Sequence, residues 1–89
     1  MNDIEYMQEV VKRGEALTRL KNNPDFKTII LSGYLVEEVL ATTDMLTGNQ
    51  EQDKQLHDAI DCIMHFKRWL TGIETEAEKA KSELLGEEY

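Results

Sequence analysis

Three side chains that can ligate a transition metal recur at intervals of four residues in the second half of the chain. His57, Asp61 and His65 would stack along one face of a helix, and imidazole with carboxylate is a donor set that zinc accepts. A stable site needs a fourth ligand, and the other segments offer no His or Cys. The pattern therefore favours a solvent-exposed flank over a metal centre, and we expect no metal or other cofactor.

The nucleophiles and paired acids of the chain do not form a catalytic set. Cys62 lies on the apolar side of its periodic segment, which predicts a buried and inert thiol. Ser32 and Gly33 lack the flanking glycines of a nucleophile elbow. Glu37 and Glu38 are adjacent, so on a helix their side chains diverge by about 100° and cannot share a proton. The sequence therefore predicts a protein that is not an enzyme.

Length and composition indicate one small helical domain over residues 1–89. The chain has 89 residues, of which 40% are hydrophobic and 31% charged, with one Pro and five Gly. This composition is too apolar for a disordered chain and too poor in turn residues for a barrel or sandwich of many short strands. The length allows one hydrophobic core and no second one.

Charge and cysteine content restrict the partners and the compartment. A formal charge of -8 has the wrong sign for neutralising phosphates, so no direct contact with nucleic acid is expected. The single cysteine, Cys62, cannot form an internal disulfide, which suits a reducing compartment such as the cytoplasm. The first residues do not resemble a signal peptide, and no apolar run is long enough to span a membrane.

Hydrophobic periodicity predicts an all-α fold, a small three-helix antiparallel bundle with a long C-terminal helix. The helices are expected over about 3–21, 24–46 and 53–85. Between the first two, Asn23 is expected to cap the second helix and Pro24 to take its first position.

Three glycines mark places where the helices are expected to end, bend or approach one another. Gly48 lies in a polar turn, where a helix commonly ends in a left-handed residue. Ser32 and Gly33 predict a kink or a short break in the second helix. Gly14 weakens the first helix relative to Ala, so it marks either a close contact between helices or a tolerated surface position.

The third helix is expected to extend beyond the other two. About 30 residues reach roughly 45 Å, whereas about 20 residues reach only roughly 30 Å. The C-terminal third would then either pair with a second copy or another protein, or form a solvated helix end. Trp69 is either a contact anchor or a core residue. The residues expected at an interface are Tyr34, Trp69, Ile73, Ala77 and Leu84.

Several short motifs follow one another along the chain in a fixed order: Ala16-Leu17-Thr18-Arg19-Leu20, Asn23-Pro24-Asp25-Phe26-Lys27, Gly33-Tyr34-Leu35 with Glu37-Glu38, Ala59-Ile60-Asp61-Cys62-Ile63, Trp69-Leu70 and Ala77-Glu78-Lys79-Ala80. With these motifs the chain resembles a group of small helical bacteriophage proteins encoded among virion assembly genes. The resemblance covers about residues 16–85, although Cys62 and the pair Thr42 and Thr43 depart from it. It implies a structural or assembly role and defines no functional residue.

The resemblance implies a virion structural protein that acts through protein–protein contacts in the head or head-to-tail region. Its partners would be virion proteins such as portal or capsid, with a homo-oligomer as a further expectation, and its location would be the virion after synthesis in the host cytoplasm. The alternative is a small acidic inhibitor of a host protein, which presents carboxylates as a mimic of nucleic-acid phosphates. An inhibitor should be absent from purified virions, whereas a structural protein should be present in fixed copy number.

Overall fold

A computed structural model describes residues 3–86, and each of its elements is helical. Helix α1 spans Asp3–Lys21 and helix α3 spans Gln50–Leu84. Helix α2 lies between them and changes type along its length: it is α-helical over Pro24–Phe26, π-helical over Lys27–Glu37 and α-helical again over Glu38–Asp44. The prediction of an all-α protein is confirmed for the described residues.

The break between α1 and α2 has the predicted chemistry. The side-chain oxygen of Asn23 accepts hydrogen bonds from the backbone N–H groups of Asp25, at 2.9 Å, and Phe26, at 3.1 Å. Pro24 follows at the first helical position, where its missing N–H costs no helical hydrogen bond. Asn23 therefore caps α2 as predicted.

The turn between α2 and α3 is shorter than expected because α3 begins earlier. Gly48 has a φ of 89°, but α2 already ends at Asp44 with Met45 as a right-handed C-cap. The left-handed glycine therefore lies inside the turn and does not end the helix as predicted. The side-chain oxygen of Asn49 then accepts a hydrogen bond from the backbone N–H of Gln52 at 3.1 Å. This cap starts α3 at Gln50 instead of residue 53, so polar residues assigned to the turn form the first helical turn.

The irregularity expected at Ser32 and Gly33 is a long π-helical stretch and not a break. At its end, the N–H of Glu38 donates a hydrogen bond to the carbonyl of Gly33, five residues earlier. A Cβ on Gly33 would lie 3.0 Å from the carbonyl oxygen of Thr28. Glycine therefore relieves crowding inside the wider helix, and π-helical segments are often found at functional sites.

Helix α1 packs along the C-terminal part of α3 in the opposite chain direction. Lys21 Nζ lies 3.1 Å from both carboxylate oxygens of Glu74, and Gly14 lies against Ala77. The expected overhang of α3 is therefore wrong. The prediction compared helix lengths as if α1 and α2 packed against the same part of α3. Instead, α1 covers the C-terminal part of α3 that was expected to be bare.

The molecule is elongated and has a small core. The Cα radius of gyration is 17.6 Å, whereas a compact chain of this length would have about 12 Å. The extents are 52 × 29 × 26 Å. The five residues that form the central buried cluster are Leu17, Leu35, Ile63, Leu70 and Ile73. Much apolar surface thus stays in contact with solvent, and the predicted three-helix antiparallel bundle stays a prediction.

Candidate protein-binding surface

Three aromatic side chains from α2 and α3 form a continuous surface cluster, here called the aromatic patch: Tyr34, Phe66 and Trp69. The ring centroids of Tyr34 and Phe66 are 6.1 Å apart at an interplanar angle of 59°, and those of Phe66 and Trp69 are 6.3 Å apart at 20°. Tyr34 is 38% exposed and Trp69 is 56% exposed. The patch therefore offers two partly exposed aromatic side chains that contact a half-buried third ring.

A shallow groove on α2, here called the α2 groove, adjoins the aromatic patch and shares Tyr34 with it. Its volume is about 550 Å³. Its lining residues are Ile29, Ile30, Gly33, Tyr34, Glu37, Glu38 and Ala41. Aliphatic and acidic side chains therefore lie side by side, and Ile29 is 66% exposed.

Negative charge is concentrated in the part of the chain that carries this groove. Residues 28–66 hold seven Asp or Glu and one Lys, a formal charge of -6 out of the total of -8. Glu37 and Glu38 form no salt bridge with any residue between 3 and 86. Their charges are thus not neutralised by neighbouring cations within the described chain.

The five predicted contact residues do not form one surface. Tyr34 and Trp69 lie together in the aromatic patch, whereas Leu84, 37% exposed, lies near the far end of α3. Fifteen residues of helix separate Trp69 from Leu84, about 22 Å along the axis. Ile73 belongs to the core and Ala77 lies against Gly14. The expectation that Ile73 and Ala77 are uncovered is wrong because α1 covers them.

The exposure of two residues on α3 depends on its neighbours. Cys62 is exposed instead of buried. Of the two alternatives left open for Trp69, a surface anchor or a core residue, the structure has the surface position. Both residues lie beside the strip of α3 that α1 and α2 cover. Sequence reasoning did not include Ile29 and Phe66 among the contact residues. The signal for Ile29 was the wide apolar pattern of α2, which exceeds one helical stripe, and the signal for Phe66 was its place on the same apolar side of α3 as Trp69.

The candidate metal ligands lie on the solvent side of α3. His57, Asp61 and His65 are all exposed. Within residues 3–86, no group of three or more His, Cys, Asp or Glu side chains is arranged to hold a metal ion.

Asp53 is the one buried acid in the described chain, with an exposed fraction of 2%. Its carboxylate accepts hydrogen bonds from the backbone N–H of Thr47 at 2.9 Å, the Thr47 hydroxyl at 2.9 Å and the backbone N–H of Gly48 at 2.9 Å. The hydrogen bond from the Thr47 backbone is the largest cause of a lowered pKa for Asp53, which the other two bonds and nearby His57 reinforce, while burial opposes it. These bonds hold the turn between α2 and α3, so the role of Asp53 is structural.

Among residues 3–86, no helix has the length and apolar content needed to cross a membrane. No family model, curated protein or solved structure matches the chain.

Proposed function

We propose that this chain is a non-enzymatic structural or assembly protein of a phage particle, located in the head or head-to-tail region. It acts by contact with virion proteins such as portal or capsid, and the aromatic patch is the contact surface. The resemblance of its short motifs to those of small phage proteins supports the particle as its location. The exposure of the patch supports binding to another protein.

The exposed Trp69 is the observation that carries this proposal. Trp69 is 56% exposed while its ring stacks on Phe66, so it is supported on one side and accessible on the rest. Trp and Tyr are the residues that most often dominate binding energy at protein interfaces. Complete burial of a fully exposed large apolar side chain is worth about 1.5–3 kcal/mol, and Trp69 has more than half of its surface left to bury in a complex.

We also propose that the three helices form an elongated three-helix antiparallel bundle. The order of contacts supports this arrangement: Lys21 at the end of α1 meets Glu74, and Thr47 after α2 meets Asp53 near the start of α3. In the proposed arrangement, α1 and α2 each approach a different part of α3 while running against its direction.

The acidic end of the molecule favours a second candidate function. With a formal charge of -6 over residues 28–66, this end can present carboxylates to a basic surface of a host protein, as an inhibitor that mimics nucleic acid does. Such an inhibitor would accumulate in infected cells and be absent from particles.

Virion incorporation of matched variants tests the proposal. Purified particles of a phage that encodes the chain should contain it in fixed copy number by mass spectrometry. Trp69→Ala should remove it from particles without loss of helical circular dichroism, because the side chain is outside the core. Tyr6→Ala is the control, since Tyr6 is 58% exposed on α1 and is not part of the patch.

Each outcome decides between the candidates. If the Trp69→Ala variant is missing from particles while the Tyr6→Ala variant is incorporated, the aromatic patch is supported as the contact with virion proteins. Equal incorporation of both variants contradicts the patch. Absence of the unchanged protein from particles contradicts the virion role and favours the inhibitor.

A further inference from the structure

We propose that the α2 groove binds a cationic and apolar segment of the partner protein, in which Lys or Arg alternate with aliphatic side chains. This inference rests on the protein-binding role proposed for the aromatic patch and specifies the chemistry of what binds beside it. The groove consists of Ile29, Ile30, Gly33, Tyr34, Glu37, Glu38 and Ala41.

The apolar part of the groove requires an apolar partner. Ile29 is 66% exposed, and it lines the same depression as Ile30 and Tyr34. The adjoining rings of Phe66 and Trp69 extend this surface from α2 onto α3. Contiguous apolar surface of this kind on a small protein marks an interaction site.

The acids of the groove determine the charge of the partner. Glu37 and Glu38 lie beside the aliphatic side chains, and no cation among residues 3–86 pairs with either of them. No Lys or Arg of the described chain lines the α2 groove. Lys67 and Arg68 of α3 line a different groove with Met64, and Lys67 also lines a depression with Leu35 and Val36. A cationic segment would therefore find carboxylates that are not already engaged in ion pairs.

The aromatic rings favour the same kind of partner. A Lys or Arg side chain placed over Tyr34 or Trp69, within about 6 Å of the ring centroid, is attracted by the electrons of the ring face. The aliphatic stem of that side chain can at the same time cover the ring. Acids and aromatic faces thus select the same chemistry.

Charge also argues against a second copy of this chain as the occupant. The same region of a second copy would bring another formal charge of -6 over residues 28–66. Two such surfaces repel one another when they are brought together. A basic partner gains attraction from the same charges.

A designed helical peptide of Leu and Lys is the probe for this groove. Trp69 is the only Trp in the chain, so its fluorescence reports binding next to the groove. We expect the Leu/Lys peptide to change this fluorescence with an affinity that falls as salt rises. A Leu/Glu peptide of the same pattern and a Gln/Lys peptide without Leu should bind at least about tenfold more weakly, because each lacks one of the two required chemistries.

Two pairs of variants separate specific binding from general attraction to an acidic protein. Glu37→Gln/Glu38→Gln should weaken binding of the Leu/Lys peptide by roughly three- to tenfold, whereas Glu78→Gln/Glu83→Gln, with the same change in charge on the far part of α3, should not. Ile29→Gln should weaken it by about fivefold. Leu85→Gln is its control, because Ile29 and Leu85 are both 66% exposed.

The outcomes distinguish this inference from the proposed function. The inference is overturned if both double Glu variants weaken binding of the Leu/Lys peptide equally. It is also overturned if the Leu/Glu peptide binds as tightly as the Leu/Lys peptide. Concentration-dependent dimerisation that Ile29→Gln abolishes assigns the groove to a second copy and also overturns it. If the peptide does not bind but the Trp69→Ala variant is missing from particles, the inference fails and the virion role stands. If the peptide binds but the unchanged protein is absent from particles, only the virion role is contradicted.

Discussion

Gly14 of α1 lies directly against Ala77 of α3, so closely that a Cβ built on Gly14 would overlap the Cβ of Ala77. This contact fixes how near the two helices approach. It also resolves the two sequence interpretations of Gly14 in favour of a close contact between helices.

Substitution of Gly14 should therefore destabilise the protein although Ala is the better helix former. Gly14→Ala gains up to about 1 kcal/mol of helix propensity, but the added methyl must displace the backbone of α1 or α3, which typically costs about 1–3 kcal/mol. We expect a net loss of stability in urea-induced unfolding.

Gly72→Ala provides the control for this experiment. Gly72 lies within α3, and a Cβ placed there meets no other atom within 4 Å. This variant should gain stability by about 0.5–1 kcal/mol. A gain of similar size for Gly14→Ala would contradict the close contact with Ala77.

The turn that Asp53 holds should weaken in acid. Its pKa is lowered in the folded protein, chiefly by the hydrogen bond from the Thr47 backbone, from an ordinary value of 3.8. The ionised carboxylate therefore stabilises the fold fully above the unfolded pKa, and this contribution is lost as pH falls through the lower folded pKa.

Unfolding of Asp53→Asn compared with the unchanged protein measures this effect. The variant should melt at a lower temperature near neutral pH, since one amide oxygen cannot replace two carboxylate oxygens that accept from Thr47 and Gly48. The difference should shrink below about pH 4. A difference that does not depend on pH would show that the charge of Asp53 is not involved.

The bounds of α1, the N-cap of α2 and the positive φ of Gly48 could be predicted because their causes are local. Asn23 and Pro24 act on the residues that immediately follow them, and Gly48 adopts a positive φ as a property of its own backbone. The start of α3 was missed because Asn49 also caps, and its neighbours were polar enough to fit a turn.

Which apolar residues of α3 lie on the surface could not be predicted, because their exposure depends on contacts between distant segments. Ile73 and Trp69 are one helical turn apart on α3, on the same apolar side. Ile73 is buried and Trp69 is exposed because of where α1 and α2 pack, which no local pattern encodes. The periodicity of α2 likewise did not reveal that Lys27–Glu37 is π-helical.

Cys62 should react with iodoacetamide in the folded protein. Its side chain is exposed on α3, so native protein and urea-unfolded protein should be alkylated at similar rates, as followed by mass spectrometry. A matched variant moves the thiol into the α1–α3 contact: in Cys62→Ser/Ala80→Cys the new side chain replaces one that is 6% exposed. That thiol should be strongly protected until the protein unfolds, and equal protection of both thiols would contradict the exposure of Cys62.

Truncation of Ile73 tests directly whether α1 covers the C-terminal part of α3. Ile73 is 9% exposed and packs in the core with Leu17 and Leu70, so Ile73→Ala should lower the free energy of unfolding by about 2–4 kcal/mol through lost burial and the cavity left behind. Ile29→Ala removes the same atoms from a side chain that is 66% exposed and should change stability by no more than about 0.5 kcal/mol. Chemical denaturation of both variants measures the two values. A small effect of Ile73→Ala would mean that this part of α3 is bare, and it would restore the free C-terminal overhang as a surface for association.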